Sequence, residues 1–129
     1  MSTKLLLLPL LAFTLSGADV SGRWSGVIVV EDTSSGERIN TPVKAEFNQS
    51  TSSVSGKIGR KEDEQSEPIR NGKVEGDTFV FEVRAPELTG AFKFHLVLVA
   101  DNRIEGDMKG AIDTGPIAGK VKLTREGAK

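Results

Sequence analysis

Apolar and polar residues alternate with a period of two along most of the chain beyond residue 19. No segment carries the i, i+3, i+4, i+7 apolar spacing of an amphipathic helix. Alternation of this kind is typical of strands that bury one face. It predicts an all-β fold with eight strands, at about 22–31, 42–50, 53–60, 67–75, 78–85, 91–100, 103–110 and 118–126.

The connections between these predicted strands are short and rich in turn-forming residues, as at Gly76-Asp77 and Asp101-Asn102. Short links join antiparallel neighbours, because a parallel crossover needs about a dozen residues or more. The chain is therefore predicted to form an eight-stranded antiparallel up-and-down (meander) β-barrel. A Greek-key sandwich is the alternative, but it needs a long connection between its two sheets, and the sequence has no obvious candidate for one.

Three predicted strands share an apolar-x-Gly-x-apolar pattern, centred on Gly26, Gly56 and Gly106. In each strand the glycine has the inward parity of its apolar neighbours. A glycine inside a strand costs stability unless the strand bends sharply or another backbone approaches closely. Small barrels need such coiling, so the pattern favours closure. The alternative is that glycine is simply abundant, since the chain has 14.

The parity of each strand divides its side chains between an inner and an outer face, because successive side chains point in opposite directions. An eight-stranded barrel is just wide enough to be filled by its own side chains or to hold one small molecule. The sequence leaves that choice open. The predicted inner set is Trp24, Ile28, Val30, Val43, Ala45, Phe47, Val54, Ile58, Val74, Phe79, Phe81, Val83, Phe92, Phe94, Leu96, Leu98, Ile104, Met108, Val121 and Leu123.

The first 18 residues have the pattern of a secretory signal peptide. Met1–Lys4 carries one positive charge, 5–15 is an apolar run, and Ser16-Gly17-Ala18 supplies small residues for cleavage after Ala18. A membrane anchor is the alternative, but the run is shorter than the ~20 apolar residues that span a bilayer. The sequence therefore predicts a signal peptide over 1–18 and one barrel domain over 19–129. The mature protein is expected to be secreted or periplasmic, and free of the membrane after cleavage.

Charge and residue usage exclude several functional classes. With 17 Lys and Arg against 18 Asp and Glu, the chain lacks the basic surplus that nucleic-acid binding needs. It has no Cys, which rules out disulfides and thiolate zinc sites. Its one histidine, His95, has outward parity, and no G-x-S-x-G motif accompanies it. We therefore expect no catalytic residues, no metal and no cofactor, and a protein that is not an enzyme.

Gly22-Arg23-Trp24 opens the first predicted strand, and Arg125 lies near the end of the last. This pairing resembles the calycins, the group that includes lipocalins, fatty-acid-binding proteins and avidins. The resemblance implies that Gly22, Trp24 and Arg125 close one end of the barrel, with the Arg125 guanidinium over the indole. The motifs VSGRWSG at 20–26 and GKVEGDT at 72–78 are also similar to those of a group of small secreted bacterial domains that is mostly uncharacterised.

Two functional hypotheses follow. The first is a small apolar or amphipathic ligand held in the lumen, at the site residues Trp24, Phe47, Phe79, Phe81, Phe92 and Phe94. The second is a protein-binding or inhibitory module with a solid core, which acts through its loops, such as 59–68, or through its outer wall. Val80, Val97 and Val99 have outward parity and would then form a face for a homo-oligomer.

Overall fold

The computed structural model describes residues 19–32, 35–63, 66–84, 90–112 and 115–127. The predicted signal peptide, 1–18, lies outside the described residues. No helix within these ranges is long and apolar enough to cross a membrane. The strands are β1 (Gly22–Asp32), β2 (Arg38–Ser50), β3 (Ser53–Arg60), β4 (Glu67–Glu75), β5 (Thr78–Val83), β6 (Phe92–Ala100), β7 (Arg103–Ile112) and β8 (Gly115–Arg125).

These eight strands form one closed antiparallel barrel in which every strand pairs with its neighbours along the chain. β1 also pairs with β8, in a register that runs from Trp24 opposite Arg125 to Asp32 opposite Ile117. The predicted up-and-down barrel is therefore confirmed, and the sandwich alternative is wrong. Closure leaves none of the described strands with an unpaired edge, so a chain without disulfides still protects its backbone hydrogen-bonding groups.

The three patterned glycines lie where a neighbouring backbone approaches closely. A Cβ added at Gly26 would lie 1.8 Å from the Lys122 carbonyl oxygen. At Gly56 it would lie 2.0 Å from the Glu46 carbonyl oxygen, and at Gly106 it would lie 2.3 Å from that of His95. No side chain fits at such distances, so the barrel can coil at these points only because the residue is glycine.

The alternation breaks in β4, which carries a β-bulge. Ile69 and Val74 are both buried although their parities differ, and the pairing of β4 with β5 shifts between Arg70 and Lys73. Asn71 lies within the shift at a φ of 57°, in the left-handed region that Asn tolerates better than most residues. The sequence prediction used one parity for the whole strand. It therefore placed Val74 inside the barrel and missed Ile69.

The rest of the predicted inner set is nearly all buried. The prediction was wrong mainly for residues near the ends of strands. Val30, Phe92 and Leu98 are half-buried rather than buried. Val20 and Ile117 are buried but were not predicted, because Val20 precedes β1 and β8 begins at Gly115 rather than at residue 118. Strand ends are set by pairing with neighbours, which local alternation does not reveal.

Candidate functional site

One end of the barrel is closed by three residues that meet at the start of β1 and the end of β8. Trp24 is fully buried, and the Arg125 guanidinium carbon lies 4.4 Å from the centroid of its ring. Gly22 has a φ of +124°, and a Cβ there would lie 3.1 Å from Arg125 Nη1. The guanidinium therefore lies over the indole in a cation–π contact, in the space that a glycine leaves.

Arg125 also joins separate segments of chain at this end. Its Nη1 donates to the Ser21 carbonyl, and its Nη2 donates to the carbonyls of Asp19, at 3.1 Å, and Asp101, at 2.9 Å. Its Nε donates to Asn102 Oδ1 at 3.2 Å. One planar side chain thus ties the segment before β1 to the turn between β6 and β7, which its fixed fork of donors allows.

The segment before β1 forms a plug beneath the indole, which sequence reasoning missed. Val20 is fully buried, and its carbonyl accepts a hydrogen bond from Trp24 Nε1 at 2.9 Å. The Val20 amide donates to Gln49 Oε1 at 2.9 Å, and the Gln49 amide donates to Ser21 Oγ at 2.9 Å. The available signal was an apolar residue two positions before the Gly-x-Trp motif.

Phenylalanine rings fill the lumen next to this closed end. The Phe47 and Phe79 centroids are 4.9 Å apart in an edge-to-face contact, and those of Phe79 and Phe81 are 5.0 Å apart. Phe94 stacks on Phe81 with centroids 4.5 Å apart. All four rings are buried, so this half of the barrel is a packed core.

The other half of the lumen contains a cavity of about 400 Å³. It lies at the end of the barrel away from Trp24, since its lining includes the far parts of β1 and β8. Of the six predicted ligand residues, Phe92 and Phe94 line the cavity, whereas Trp24, Phe47, Phe79 and Phe81 do not. Most of the lining is aliphatic and includes Ile28, Val30, Val43, Ile58, Val83, Met108, Ile112 and Ile117.

Among the described residues, the polar side chains of the lining lie on one side of this cavity, where β2, β3 and β4 end or begin. They are Thr41, Arg60, Asp63 and Glu67. Arg60 Nε donates to Asp63 Oδ2 at 3.0 Å, so the guanidinium and the carboxylate form an ion pair. The sequence predicts a loop at 59–68, with no contribution to the lumen. The overlooked signal was that Glu67 shares the parity of Ile69.

A second hollow, of about 490 Å³, lies on the outer wall beside the bulge at Asn71. Val80 lies in it among charged or polar side chains that include Glu82, Lys93 and His95. Of the predicted outer valines, Val80 and Val97 are half-buried, and Val99 is 46% exposed. His95 is exposed, as its parity predicts.

Charged groups among the described residues all keep part of their surface exposed to solvent. No polar or charged residue in this part of the chain is buried, and no three His, Asp or Glu side chains within it are grouped to hold a metal ion. At the outer hollow, Lys120 Nζ lies 2.6 Å from Asp107 Oδ1 and lowers the pKa of that carboxyl. That shift marks an exposed ion pair of the outer wall, well away from the lumen.

Comparison with protein-family models, with curated proteins and with solved structures found no match. The closed eight-stranded antiparallel barrel is consistent with a calycin-like fold.

Proposed function

We propose that this protein is an exported, non-enzymatic, calycin-like barrel that binds a small ligand with an apolar body in the cavity away from Trp24. The observation that carries the proposal is the cavity itself, about 400 Å³ with a largely aliphatic lining. Ligand pockets of about 300–1,000 Å³, lined by apolar side chains with a few polar groups, are the usual form of small-molecule sites.

The contrast between the two halves of the lumen supports a binding role. Close packing is the rule in protein interiors, and the half near Trp24 obeys it. An apolar space is a poor site for water, because water needs polar partners, whereas an apolar ligand gains about 25 cal/mol for each Å² of surface it buries. Most of the described lining is aliphatic, which favours binding over catalysis.

Filling the cavity is expected to weaken ligand binding without unfolding the barrel. Val30 is half-buried in the cavity wall, so Val30→Trp adds a ring to the space that a ligand would occupy. We expect the neutral fluorescent probe prodan to bind this variant roughly tenfold more weakly than wild type, a loss of about 1.4 kcal/mol. Prodan emission titrations measure the affinity, and circular dichroism checks the fold.

The matched control is Val99→Trp, which adds the same side chain to an outer-wall position that is 46% exposed. Its affinity for prodan is expected to equal that of wild type. Ile112→Trp places the ring on another half-buried part of the cavity wall and is expected to act like Val30→Trp. Unchanged binding by both cavity variants would show that the probe does not use the cavity and would contradict the proposal.

Export is supported by the sequence of residues 1–18 and by the contact that Asp19 makes with Arg125. Asp19 already contributes its carbonyl to Arg125, so the barrel uses the chain from the predicted cleavage point onward. When the full chain is expressed in a secreting bacterial host, we expect the exported protein to begin at Asp19. Intact-mass measurement and N-terminal sequencing check this, and recovery of exported protein that retains residues 1–18 would contradict it.

A further inference from the structure

We propose that the ligand of this cavity carries a cationic amine at one end of its apolar body, and that this amine lies against the Glu67 carboxylate. The inference rests on the proposed function, because it names the chemical class of ligand for the same site. It is argued from the position of Glu67, the partners of its neighbours and the charge of the lining.

Glu67 lies on the inner face of the barrel at the edge of the cavity. In the ladder between β3 and β4 it is opposite Ile58, whose side chain is buried in the core. Residues directly opposite each other in a sheet point to the same face. Ile69, two residues further along β4, is buried as well, and Glu67 itself is half-buried in the cavity lining. Its carboxylate therefore borders both the apolar space and solvent.

The neighbouring cations already have other partners. Arg60 donates to both carboxylate oxygens of Asp63, at 3.0 Å from Nε and 3.4 Å from Nη2. Lys44 Nζ donates to the Asp63 carbonyl at 2.8 Å. Glu67 makes no side-chain hydrogen bond or ion pair with any residue in the part of the chain that the structure describes. A half-buried carboxylate of this kind is stabilised by a ligand that brings a positive charge or hydrogen-bond donors.

An anionic end group is disfavoured at the same place. Among the described charged residues that line the cavity, Arg60 is balanced by Asp63, which leaves the charge of Glu67 in excess. A ligand carboxylate at this place would compete with Asp63 for Arg60 and would lie near two like charges. A ligand amine meets Glu67 without disturbing either residue.

Three ligands with the same octyl chain test this inference: octylamine, octanol and octanoate, each used to displace prodan at neutral pH. At that pH the amine is protonated and the acid is ionised. Because an ion pair at a partly exposed site contributes modestly, we expect octylamine to bind about 3- to 5-fold more tightly than octanol. Octanoate is expected to bind more weakly than octanol. The preference for the amine should shrink in high salt, which screens charges near solvent.

Glu67→Gln removes the charge with little change of shape and is expected to bring octylamine to the affinity of octanol, while octanol itself is unaffected. The matched control is Glu62→Gln, which removes the same charge from an exposed position outside the cavity lining and is expected to keep the preference. Equal binding of the three compounds, or a preference that survives in Glu67→Gln, would overturn the inference and leave the proposed function standing. Failure of prodan itself to bind in the cavity would overturn the proposed function.

Discussion

Gly26→Ala is expected to destabilise the barrel by about 3 kcal/mol or more. The new Cβ would lie 1.8 Å from the Lys122 carbonyl oxygen and 2.8 Å from Leu123 Cα. Both atoms belong to the backbone of β8, so no side-chain rotation can relieve the contact. β1 and β8 would have to separate at the seam that closes the barrel. Urea denaturation, followed by Trp24 fluorescence, measures the free energy of unfolding.

The matched control for this prediction is Gly90→Ala. A Cβ at Gly90 has nothing within 4 Å, and the φ of Gly90 lies outside the left-handed region. A substitution at such a site is expected to change stability by no more than about 0.5 kcal/mol. If Gly26→Ala unfolds at the same urea concentration as Gly90→Ala, the two strands do not approach each other as closely as described.

Arg125→Ala is expected to lower the free energy of unfolding by about 2–3 kcal/mol. The change removes the cation–π contact with Trp24 and the donors to Ser21, Asp19, Asp101 and Asn102. It also uncovers the indole, so we expect the Trp24 emission to shift to longer wavelength. Arg125→Lys keeps the charge but loses the planar fork of donors, and is expected to recover only part of the stability.

Arg103→Ala provides the comparison for a surface arginine on the neighbouring strand. The Arg103 side chain is 61% exposed, and its ion pair is an exposed one with Glu105, at 3.4 Å. Exposed pairs contribute about 0–1 kcal/mol, so this variant should remain close to wild type. If Arg125→Ala matches Arg103→Ala in both stability and emission, then Arg125 does not hold the end of the barrel closed.

These two predictions concern features that the sequence already indicated. The glycine pattern predicted a close approach of two backbones at Gly26, and the Gly-x-Trp motif together with Arg125 indicated which end of the barrel is closed. Both features could be predicted from sequence because each depends on a residue type with few substitutes. Gly26 has no side chain at a point where two backbones meet, and Arg125 is a planar cation over the Trp24 indole.

The height of each side chain along the barrel axis could not be predicted in this way. Six aromatic residues were grouped as one ligand site because they share inward parity, yet only Phe92 and Phe94 line the cavity. Parity tells which face a residue occupies, but its height depends on the register between strands. That register shifts between Arg70 and Lys73 in the pairing of β4 with β5, where a bulge inserts extra residue length into β4.

The sequence by itself indicated the strands and nearly all of the interior through the alternation of residue types, the strand order through its short connections, and closure through its glycine pattern. Each of these signals can be recognised within one strand or one turn, without knowledge of the rest of the chain. Only the tertiary structure decided which half of the lumen is packed, that Val20 plugs the closed end, and that Glu67 borders a cavity. These depend on contacts between residues far apart in the chain, whose distances are fixed when β1 meets β8 and the register of the whole sheet is set.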